Sequence, residues 1–224
     1  MNYDLKLYDQ LLQFSLFQGM SRGDLMEVAG HTKFDFVKMP PGKRIVAEGD
    51  VCSHLFFLIN GTIMAETASD DHVYRIYETL SAPCMLQPER LFGVWQRYTT
   101  TFKTETDCNF LVIDKQEVVL LLETQLVFRL NMLNLMATKS QRSERYPWRP
   151  APKSLRERIV RFFIQHSLYP AGPKTFHILM KRLAEEVNDS RLDVSGVLNE
   201  MQQEGLIVLY RGRIEIPMLE RLLM

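Results

Sequence analysis

A chain of 224 residues is long enough for one large domain or two modest ones, and a hydrophobic content of 46% is ample for a packed core. The formal net charge is zero, but residues 1–138 hold 12 Lys and Arg against 17 Asp and Glu, whereas residues 139–224 hold 15 against 10. The two parts therefore carry −5 and +5. Counterion release on a nucleic acid would use the basic part.

The cysteine content and the apolar runs exclude a disulfide framework and a membrane span. Cys52, Cys84 and Cys108 are scattered and odd in number, so we expect reduced thiols. The start Met1–Asp4 is polar and lacks the basic and apolar regions of a signal peptide. No apolar run approaches the roughly 20 residues of a transmembrane helix. We therefore expect a cytoplasmic protein with no membrane partner.

The first 113 residues predict two helical segments followed by many short strands. Leu5–Phe17 has roughly helical spacing, and Ser21–Ala29 is a short helix with Ser21 as its cap and Asp24 at the third helical position. From Phe34 onward, short apolar runs alternate with turn sequences. These turns are Pro40-Pro41-Gly42, Glu48-Gly49-Asp50, Asn60-Gly61 and Ser69-Asp70-Asp71.

Several of these runs are predicted as strands of one barrel. Phe56–Ala65 predicts a hairpin, because Asn60-Gly61 is typical of two-residue turns. Val73–Tyr77 and Phe110–Ile113 predict further strands. The fold class is therefore α+β, with an N-terminal double-stranded β-helix (a jelly-roll-like β-roll) over residues 1–113.

Residues 114–146 predict a long dimerisation helix and a linker. One apolar face has the spacing of a coiled-coil seam and consists of Leu126, Leu130, Leu133 and Ala137, followed by Ser140. A second face consists of Phe128, Met132 and Leu135. A helix that is apolar on two faces must be covered on both sides, so we expect the roll on one side and a symmetry mate on the other. A helix buried within one subunit is the alternative.

Residues 147–224 predict a winged helix-turn-helix domain after a proline-rich boundary at Tyr146–Pro152. Ser154 begins a helix whose inner face carries Leu155, Ile159, Phe162 and Phe163, and whose other face carries Arg156, Arg158 and Arg161. Lys174–Ile178 predicts a short strand.

The segment Leu179–Leu206 predicts a helix, a turn and a second helix. Leu179, Leu183 and Val187 share one stripe of the first helix, and Asn188-Asp189 suits a turn. Ser190 and Asp193 have the spacing of a capping box, in which each side chain satisfies a free amide. The second helix has an inner face of Val194, Val197, Leu198 and Met201, and Gly205 is a C-terminal stop.

Two predicted strands then enclose a basic hairpin tip. Leu206–Leu209 and Ile214–Ile216 flank Tyr210–Arg213, so Arg211 and Arg213 are candidates to contact phosphates. A helix-turn-helix followed by such a hairpin is a winged helix, whose second helix enters the major groove by its N-terminal end. The alternative is an ordinary pair of core helices.

The order of these parts resembles the CRP/FNR family of bacterial transcription regulators, over nearly the whole chain. The residues that carry the resemblance are Leu16-Phe17 before Ser21-x-x-Asp24-Leu25, Gly42 before Glu48-Gly49-Asp50, Leu55–Gly61, Asp107-Cys108 before Phe110–Ile113, and Leu183-Ala184-x-x-Val187 before Ser190-Arg191 and Val194. The resemblance implies a homodimer on double-stranded DNA, with RNA polymerase as a candidate further partner.

The same resemblance implies which residues face the DNA bases: Ser190, Arg191, Leu192 and Ser195. Arg191 matches the arginine with which the family binds a base, a residue type that grips guanine in bidentate fashion. Leu192 stands where many members carry glutamate, and it would offer apolar contact to a thymine methyl. We therefore expect a different target sequence.

The resemblance is poorest at the effector site. Members that bind cyclic nucleotides place a Gly-Glu before an arginine that neutralises the cyclic phosphate. Here Gln87-Pro88-Glu89 replaces the glycine-led sequence, and the arginine position falls on Tyr98, one residue after Arg97. A slip of one residue turns a strand side chain to the other face. We therefore expect no cyclic-nucleotide binding, and Glu89, Arg97 and Tyr98 are the residues to test.

Other cofactors and enzymatic activity have little support in the sequence. An iron–sulfur cluster needs four thiolates and is rejected. His31, His54 and His72 are isolated, which leaves haem as a minor alternative and predicts no metal site. No glycine-rich phosphate loop, metal-binding histidine spacing or marked nucleophile is present, so we expect no enzyme.

The sequence therefore predicts an effector-responsive transcription regulator whose effector is unknown. The alternative is a ligand-binding or scaffold protein whose winged helix contacts protein. The acidic residues near the turn keep this alternative open: Glu185, Glu186, Asp189 and Asp193. The sign of the electrostatic potential over the second helix separates the two hypotheses.

Overall fold

The computed structural model describes residues 2–144, 148 and 150–223, and it divides into two compact units. The first unit comprises residues 1–63, 81–99 and 103–149, and the second comprises residues 64–80, 100–102 and 150–224. The predicted boundary at Tyr146–Pro152 lies partly outside the described residues, so its place in the chain stays a prediction.

Helices and strands are largely segregated along the chain, as the predicted α+β class requires. The helices of the described residues are α1 (Asn2–Leu11), α2 (Arg22–His31), α3 (Lys115–Thr124), α4 (Leu126–Glu144), α5 (Leu155–Gln165), α6 (Met180–Glu186) and α7 (Arg191–Gln203). The strands are β1 (Asp35–Met39), β2 (Arg44–Val46), β3 (His54–Asn60), β4 (Thr62–Ala68), β5 (Arg75–Ser81), β6 (Cys84–Met85), β7 (Thr101–Thr104), β8 (Cys108–Asp114), β9 (Lys174–His177), β10 (Val208–Tyr210) and β11 (Arg213–Ile216). Short 3-10 helices cover Pro88–Arg90 and Leu219–Leu223.

The first unit is built on a four-stranded sheet in the order β1-β8-β3-β6. Its pairs are antiparallel, with Phe57 opposite Leu111. The side chains of Phe17, Phe57 and Phe128 are fully buried, and the Phe17 ring centroid lies 5.7 Å from that of Phe57 and 5.2 Å from that of Phe128. Helix α2 begins as predicted, because Ser21 and Asp24 form a complete capping box.

The predicted hairpin over Phe56–Ala65 is wrong. β3 and β4 are both strands, but they belong to different sheets. A two-residue hairpin of the Asn-Gly type needs positive φ at both positions, and here only Gly61 has it, at 101°. A Cβ atom at Gly61 would lie 2.6 Å from the Asp107 carbonyl oxygen, so this position is a glycine corner between two sheets.

The helical region after Asp114 is two helices rather than one. It breaks at Gln125, and the axes of α3 and α4 differ by 114°. Phe128 and Met132 are buried in the first unit, where the Asn131 side chain also donates to the carbonyls of Leu16 and Gln18. The opposite face of α4 is exposed, as a seam for a partner requires, and it consists of Leu126, Leu130, Leu133 and Ala137.

The second unit joins the C-terminal helices to strands from the middle of the chain. Within this unit, neighbouring strands of the larger, seven-stranded sheet follow the order β10-β11-β9-β5-β4-β7. The pairing of β5 with β9 was not predicted from the sequence. Ile159, Phe163 and Phe176 are buried in the core of this unit. Tyr74 and Ile76, which flank the start of β5, belong to the same core.

Cys52, Cys84 and Cys108 are free thiols, as expected. Among the described residues, no single helix has the length and hydropathy of a membrane span, although the bent pair α3 and α4 passes that test when both are counted together.

Candidate DNA-binding interface and effector site

The turn between α6 and α7 has the backbone that the sequence predicts. Asn188 adopts a left-handed conformation at φ 50°, which asparagine tolerates better than most residues. The Ser190 side chain accepts a hydrogen bond from the Asp193 amide, at 3.1 Å, and caps α7. The other half of the predicted capping box is wrong, because the Ser190 amide donates to the Asp189 carboxylate and the Asp193 carboxylate accepts from the Ser190 hydroxyl.

The C-terminal end of α7 is fixed by Gly205. This glycine has φ 71°, its amide donates to the Gln202 carbonyl, and the next amide, Leu206, donates to the Met201 carbonyl. These two bonds form a Schellman motif, which satisfies carbonyls that the helix leaves free. Both ends of α7 are therefore determined by local chemistry, which fixes the position of the side chains between them.

The start of α7 presents an exposed surface. Arg191 is exposed and Leu192 is 84% exposed, while Ser195, one turn further, is half-buried. The inner side of the helix is buried through Val194 and Leu198. The residues that the resemblance assigns to base contacts therefore lie on the outer side of the helix, with Ser195 half-buried.

In the hairpin of β10 and β11, the two arginines predicted to contact phosphate differ in their surroundings. Tyr210 pairs with Arg213, and Arg211-Gly212 forms the tip, with Gly212 at φ 72°. Arg211 is exposed at this tip. Arg213 instead lies with its guanidinium 4.1 Å from the centroid of the Tyr210 ring and forms a 3.3 Å ion pair with Glu215.

Hydrogen bonds and ion pairs fix α7 relative to its neighbours. The Gln202 side chain accepts from the Leu209 amide at 2.7 Å, which joins the helix to β10. Arg156 of α5 forms a 2.5 Å ion pair with Glu204, and that contact lowers the pKa of the Glu204 carboxyl. The predicted arginine face of α5 is thus used inside the unit, since Arg158 also pairs with Asp189 and Arg161 donates to the Pro150 carbonyl.

Three of the four acidic residues near the turn have basic partners. Arg182 forms ion pairs with Glu185 and Glu186, at 3.7 Å and 2.7 Å, and is shared with Asp71. Asp189 pairs with Arg158. Asp193 accepts a hydrogen bond from the Ser190 hydroxyl, which leaves its charge in place.

Leu179 was assigned wrongly to the buried stripe of the first helix. It is the N-cap of α6 rather than a helical residue, and it is 63% exposed. A Cβ atom on Gly212 would lie 3.6 Å from the Leu179 side chain, so the start of α6 meets the hairpin tip. Helical spacing does not apply to Leu179, because an N-cap residue lacks helical backbone angles and its side-chain direction is not set by the helix.

The predicted effector residues lie in the first unit and are engaged by protein groups. Glu89 forms a 2.6 Å ion pair with Lys139 of α4. Arg97 is exposed, and its guanidinium donates to the Gly49 carbonyl at 2.7 Å. Tyr98 is 2% exposed and donates its hydroxyl to the His54 carbonyl, and burial raises the pKa of this phenol.

Gln87 and Cys52, in the same unit, are also buried. Gln87 is buried with φ 40°, and its amide group both donates to the Thr99 hydroxyl and accepts from the Thr99 amide. The buried Cys52 thiol lies beside Tyr98, and burial raises its pKa. A cyclic phosphate needs a cation aimed into a cavity and a free carboxylate for the ribose. The residues present do not fit that ligand.

Nothing in the described part of the chain forms a metal site, because no three His, Cys, Asp or Glu side chains lie together in a suitable arrangement. The six predicted DNA contacts form two groups, at the start of α7 and in the hairpin, both in the second unit. Glu89, Arg97 and Tyr98 all lie in the first unit.

Two family models match the chain. Residues 36–125 match the cyclic nucleotide-binding domain, and residues 157–224 match the Crp-like helix-turn-helix domain. A search of the curated proteins found no significant match.

Solved structures share the fold at low sequence identity. The catabolite activator protein of Thermus thermophilus is 19% identical, covers 94% of this chain and 96% of its own, and has a TM-score of 0.54. The sensor domain of the transcriptional regulator DNR from Pseudomonas aeruginosa is 17% identical, with a TM-score of 0.55 over 69% of this chain and 99% of its own. A crp/fnr-family regulator from Eubacterium rectale is 21% identical, with a TM-score of 0.50 over 94% and 96%.

Proposed function

Because the chain belongs to the CRP/FNR family of transcription regulators, we propose that it binds double-stranded DNA as a homodimer and regulates transcription in response to a small-molecule effector. The observation that carries the proposal is the start of α7. Arg191 and Leu192 are exposed there on a helix whose two ends are both capped. This is the end by which a recognition helix enters the major groove.

Each exposed group has a role that its chemistry supports. Arg191 presents a planar guanidinium that matches the O6 and N7 acceptors of guanine, and Leu192 suits a thymine methyl group. Ser190 and Ser195 have hydroxyls for bases or phosphates. Arg211 at the hairpin tip would contact phosphate, with Arg213 held behind it on the Tyr210 ring.

The homodimer is supported by the exposed face of α4. Leu126, Leu130 and Leu133 are 58%, 49% and 59% exposed at coiled-coil spacing, while the opposite face is buried. Pairing two such helices would bury apolar area and present two copies of α7. In such a dimer the two half-sites lie about 34 Å apart, one turn of DNA.

DNA binding is tested first by selecting operators from a random duplex library and measuring their affinity by fluorescence anisotropy. Arg191→Ala should weaken operator binding by about 30-fold or more, because the dimer loses a bidentate arginine–guanine contact of about 1–3 kcal/mol in each of its two subunits. The matched control is Arg22→Ala, which removes an exposed arginine from the start of α2 in the first unit. Selection of no sequence, or equal losses for both variants, would contradict specific DNA binding through α7.

The dimer is tested by sedimentation of the full chain. Leu133→Glu places a charge on the exposed leucine face and should convert dimer to monomer. Thr138→Glu adds the same charge at an exposed position away from that face and should leave the dimer intact. A wild-type monomer at micromolar concentration would contradict the proposal.

The effector is unidentified, and a cyclic nucleotide does not fit the groups in the first unit. RNA polymerase is the further partner to test, by adding the dimer and its operator to a reconstituted transcription reaction. Such a regulator would act in the bacterial cytoplasm, where the chromosome lies.

A further inference from the structure

Strand β5 lies within the sequence predicted as the β-roll, yet it pairs with the DNA-binding part of the second unit. β5 and β9 are antiparallel, with Arg75 opposite His177 and Glu78 opposite Lys174. β9 in turn pairs with β11, which pairs with β10. Hydrogen-bonded strands therefore connect β5 to the hairpin tip at Arg211.

A buried ion pair fixes the register of β5 on β9. The side chains of Glu78 and Lys174 are each 1% exposed, and their charged atoms lie 2.7 Å apart. Glu78 also accepts from the Leu168 amide at 2.7 Å, and Lys174 also donates to the Ala171 carbonyl at 2.8 Å. A slip of one residue would turn both side chains to the other face and leave buried charges unpaired, so the pair selects one register.

The segment just before β5 also contacts the helix-turn-helix. Arg182 of α6 forms a 3.0 Å ion pair with Asp71, and its guanidinium lies 6.0 Å from the centroid of the Tyr74 ring. Tyr74 packs on Phe162 of α5, with 5.7 Å between ring centroids. The region from β4 to β5 thus touches α5, α6 and β9.

This attachment leaves the candidate DNA contacts uncovered. With β5 paired to β9, Arg191 and Arg211 are exposed and Leu192 is 84% exposed. The pairing is therefore compatible with DNA binding by this unit.

We propose that residues 64–80 are a structural part of the DNA-binding unit, and that Glu78 is a positioning residue for the hairpin. By fixing β5 on β9, Glu78 sets the position of β11 and hence of Arg211. This inference rests on the proposed DNA binding, which it deepens: any effector that displaces β5 would move the phosphate contacts without touching DNA.

An engineered disulfide tests whether β5 and β9 stay paired on DNA. Arg75→Cys with His177→Cys places two exposed, directly opposed positions of an antiparallel pair within disulfide range. The control is Arg75→Ser with His177→Ser, which makes the same truncations without a bond. We expect the oxidised cysteine variant to bind the operator within about twofold of its reduced form.

Three outcomes are informative. Retained affinity in the oxidised form supports the proposal. A loss of affinity of tenfold or more that dithiothreitol reverses would assign the pairing of β5 with β9 to a state that does not bind DNA. Failure of the disulfide to form would show that the two strands are not paired. Either result overturns the proposal. If the wild-type chain selects no operator, the proposed function fails instead, which is a separate result.

The salt dependence of binding tests Glu78 itself. We expect Glu78→Gln to reduce the slope of log K against log salt by about one for each displaced hairpin, because an arginine–phosphate contact is lost. The control is Glu123→Gln, which neutralises an exposed carboxylate on α3 of the first unit and should leave the slope unchanged. Affinity that falls with the folded fraction at an unchanged slope would make Glu78 merely structural and overturn its positioning role.

Discussion

The polar side chains of the candidate DNA-binding surface in the second unit are exposed, whereas those of the candidate effector region in the first unit contact protein groups. Arg191 and Arg211 are exposed, and no ion-pair partner for either is found within residues 2–144, 148 and 150–223. Glu89, Arg97 and Tyr98 each contact a protein group instead. Arg191 and Arg211 therefore have donors available to a ligand, whereas the side chains of Glu89, Arg97 and Tyr98 stabilise the fold.

This difference separates two parts of the family architecture. The capped helix α7 has the exposed start that the proposed DNA binding needs, while the polar groups of Gln87 and Tyr98 in the first unit are hydrogen-bonded to protein. A buried hydrogen bond that already exists must be broken before a ligand can replace it, which costs free energy. The proposed effector is therefore expected to use another site or another ligand chemistry.

The largest expected effect is on the free energy of unfolding, when the buried ion pair between Glu78 and Lys174 is broken. Lys174→Met should lower the free energy of unfolding by about 3–5 kcal/mol, because it leaves the Glu78 carboxylate buried without its cation. Urea denaturation followed by circular dichroism measures the change. The double variant Glu78→Leu with Lys174→Met should recover most of the loss, since a buried pair is replaced by apolar groups. A single variant as stable as the wild type would mean that this pair is not buried in solution.

A smaller effect on affinity, but a change in specificity, is expected at Leu192. Leu192→Glu should weaken binding to the selected operator by about tenfold and favour cytosine at one base of each half-site, because a carboxylate accepts from cytosine N4 while leucine suits a methyl group. Repeating the operator selection with the variant measures this. Leu192→Ala should weaken binding without creating the cytosine preference. An unchanged preference in both variants would place Leu192 away from the bases.

At the hairpin tip the expected effect is smaller still and independent of sequence. Arg211→Ala should reduce the salt slope by about one per subunit and lower affinity similarly for operator and random DNA. Anisotropy titrations at several salt concentrations measure both. Arg221→Ala, at an exposed position in the C-terminal 3-10 helix, is the charge-matched control. Loss of discrimination between operator and random DNA would instead assign Arg211 to base contacts.

The sequence predicts both ends of α7 because local chemistry determines them. Ser190 caps the helix that follows it and Gly205 ends it, through bonds that span three to five residues. The effector region depends on long-range pairing, such as the bridge between Val51 and Arg97, which no local pattern shows. Which direction Arg97 points could therefore not be predicted from its spacing alone.

The strands illustrate the same limit. Asn60-Gly61 is a turn sequence in either topology, and only the close approach of the Asp107 carbonyl distinguishes a corner between two sheets from a hairpin. The alternating burial of β5 is predictable, but its partner β9 lies about a hundred residues away, and the ion pair that fixes their register joins Glu78 to Lys174.

We expect no effect of a cyclic nucleotide on the stability of the chain. Cyclic AMP or cyclic GMP at 1 mM should leave the melting temperature of the full chain unchanged and give no heat by calorimetry, because the Arg97 guanidinium is already bound to the Gly49 carbonyl and Glu89 to Lys139. A ligand with a dissociation constant of about 10 μM would instead stabilise the chain by about 2.7 kcal/mol at that hundredfold excess. Stabilisation that Arg97→Ala abolishes would show that this side chain leaves Gly49 to meet the phosphate, and the contrast between the two regions would then describe only the unliganded protein.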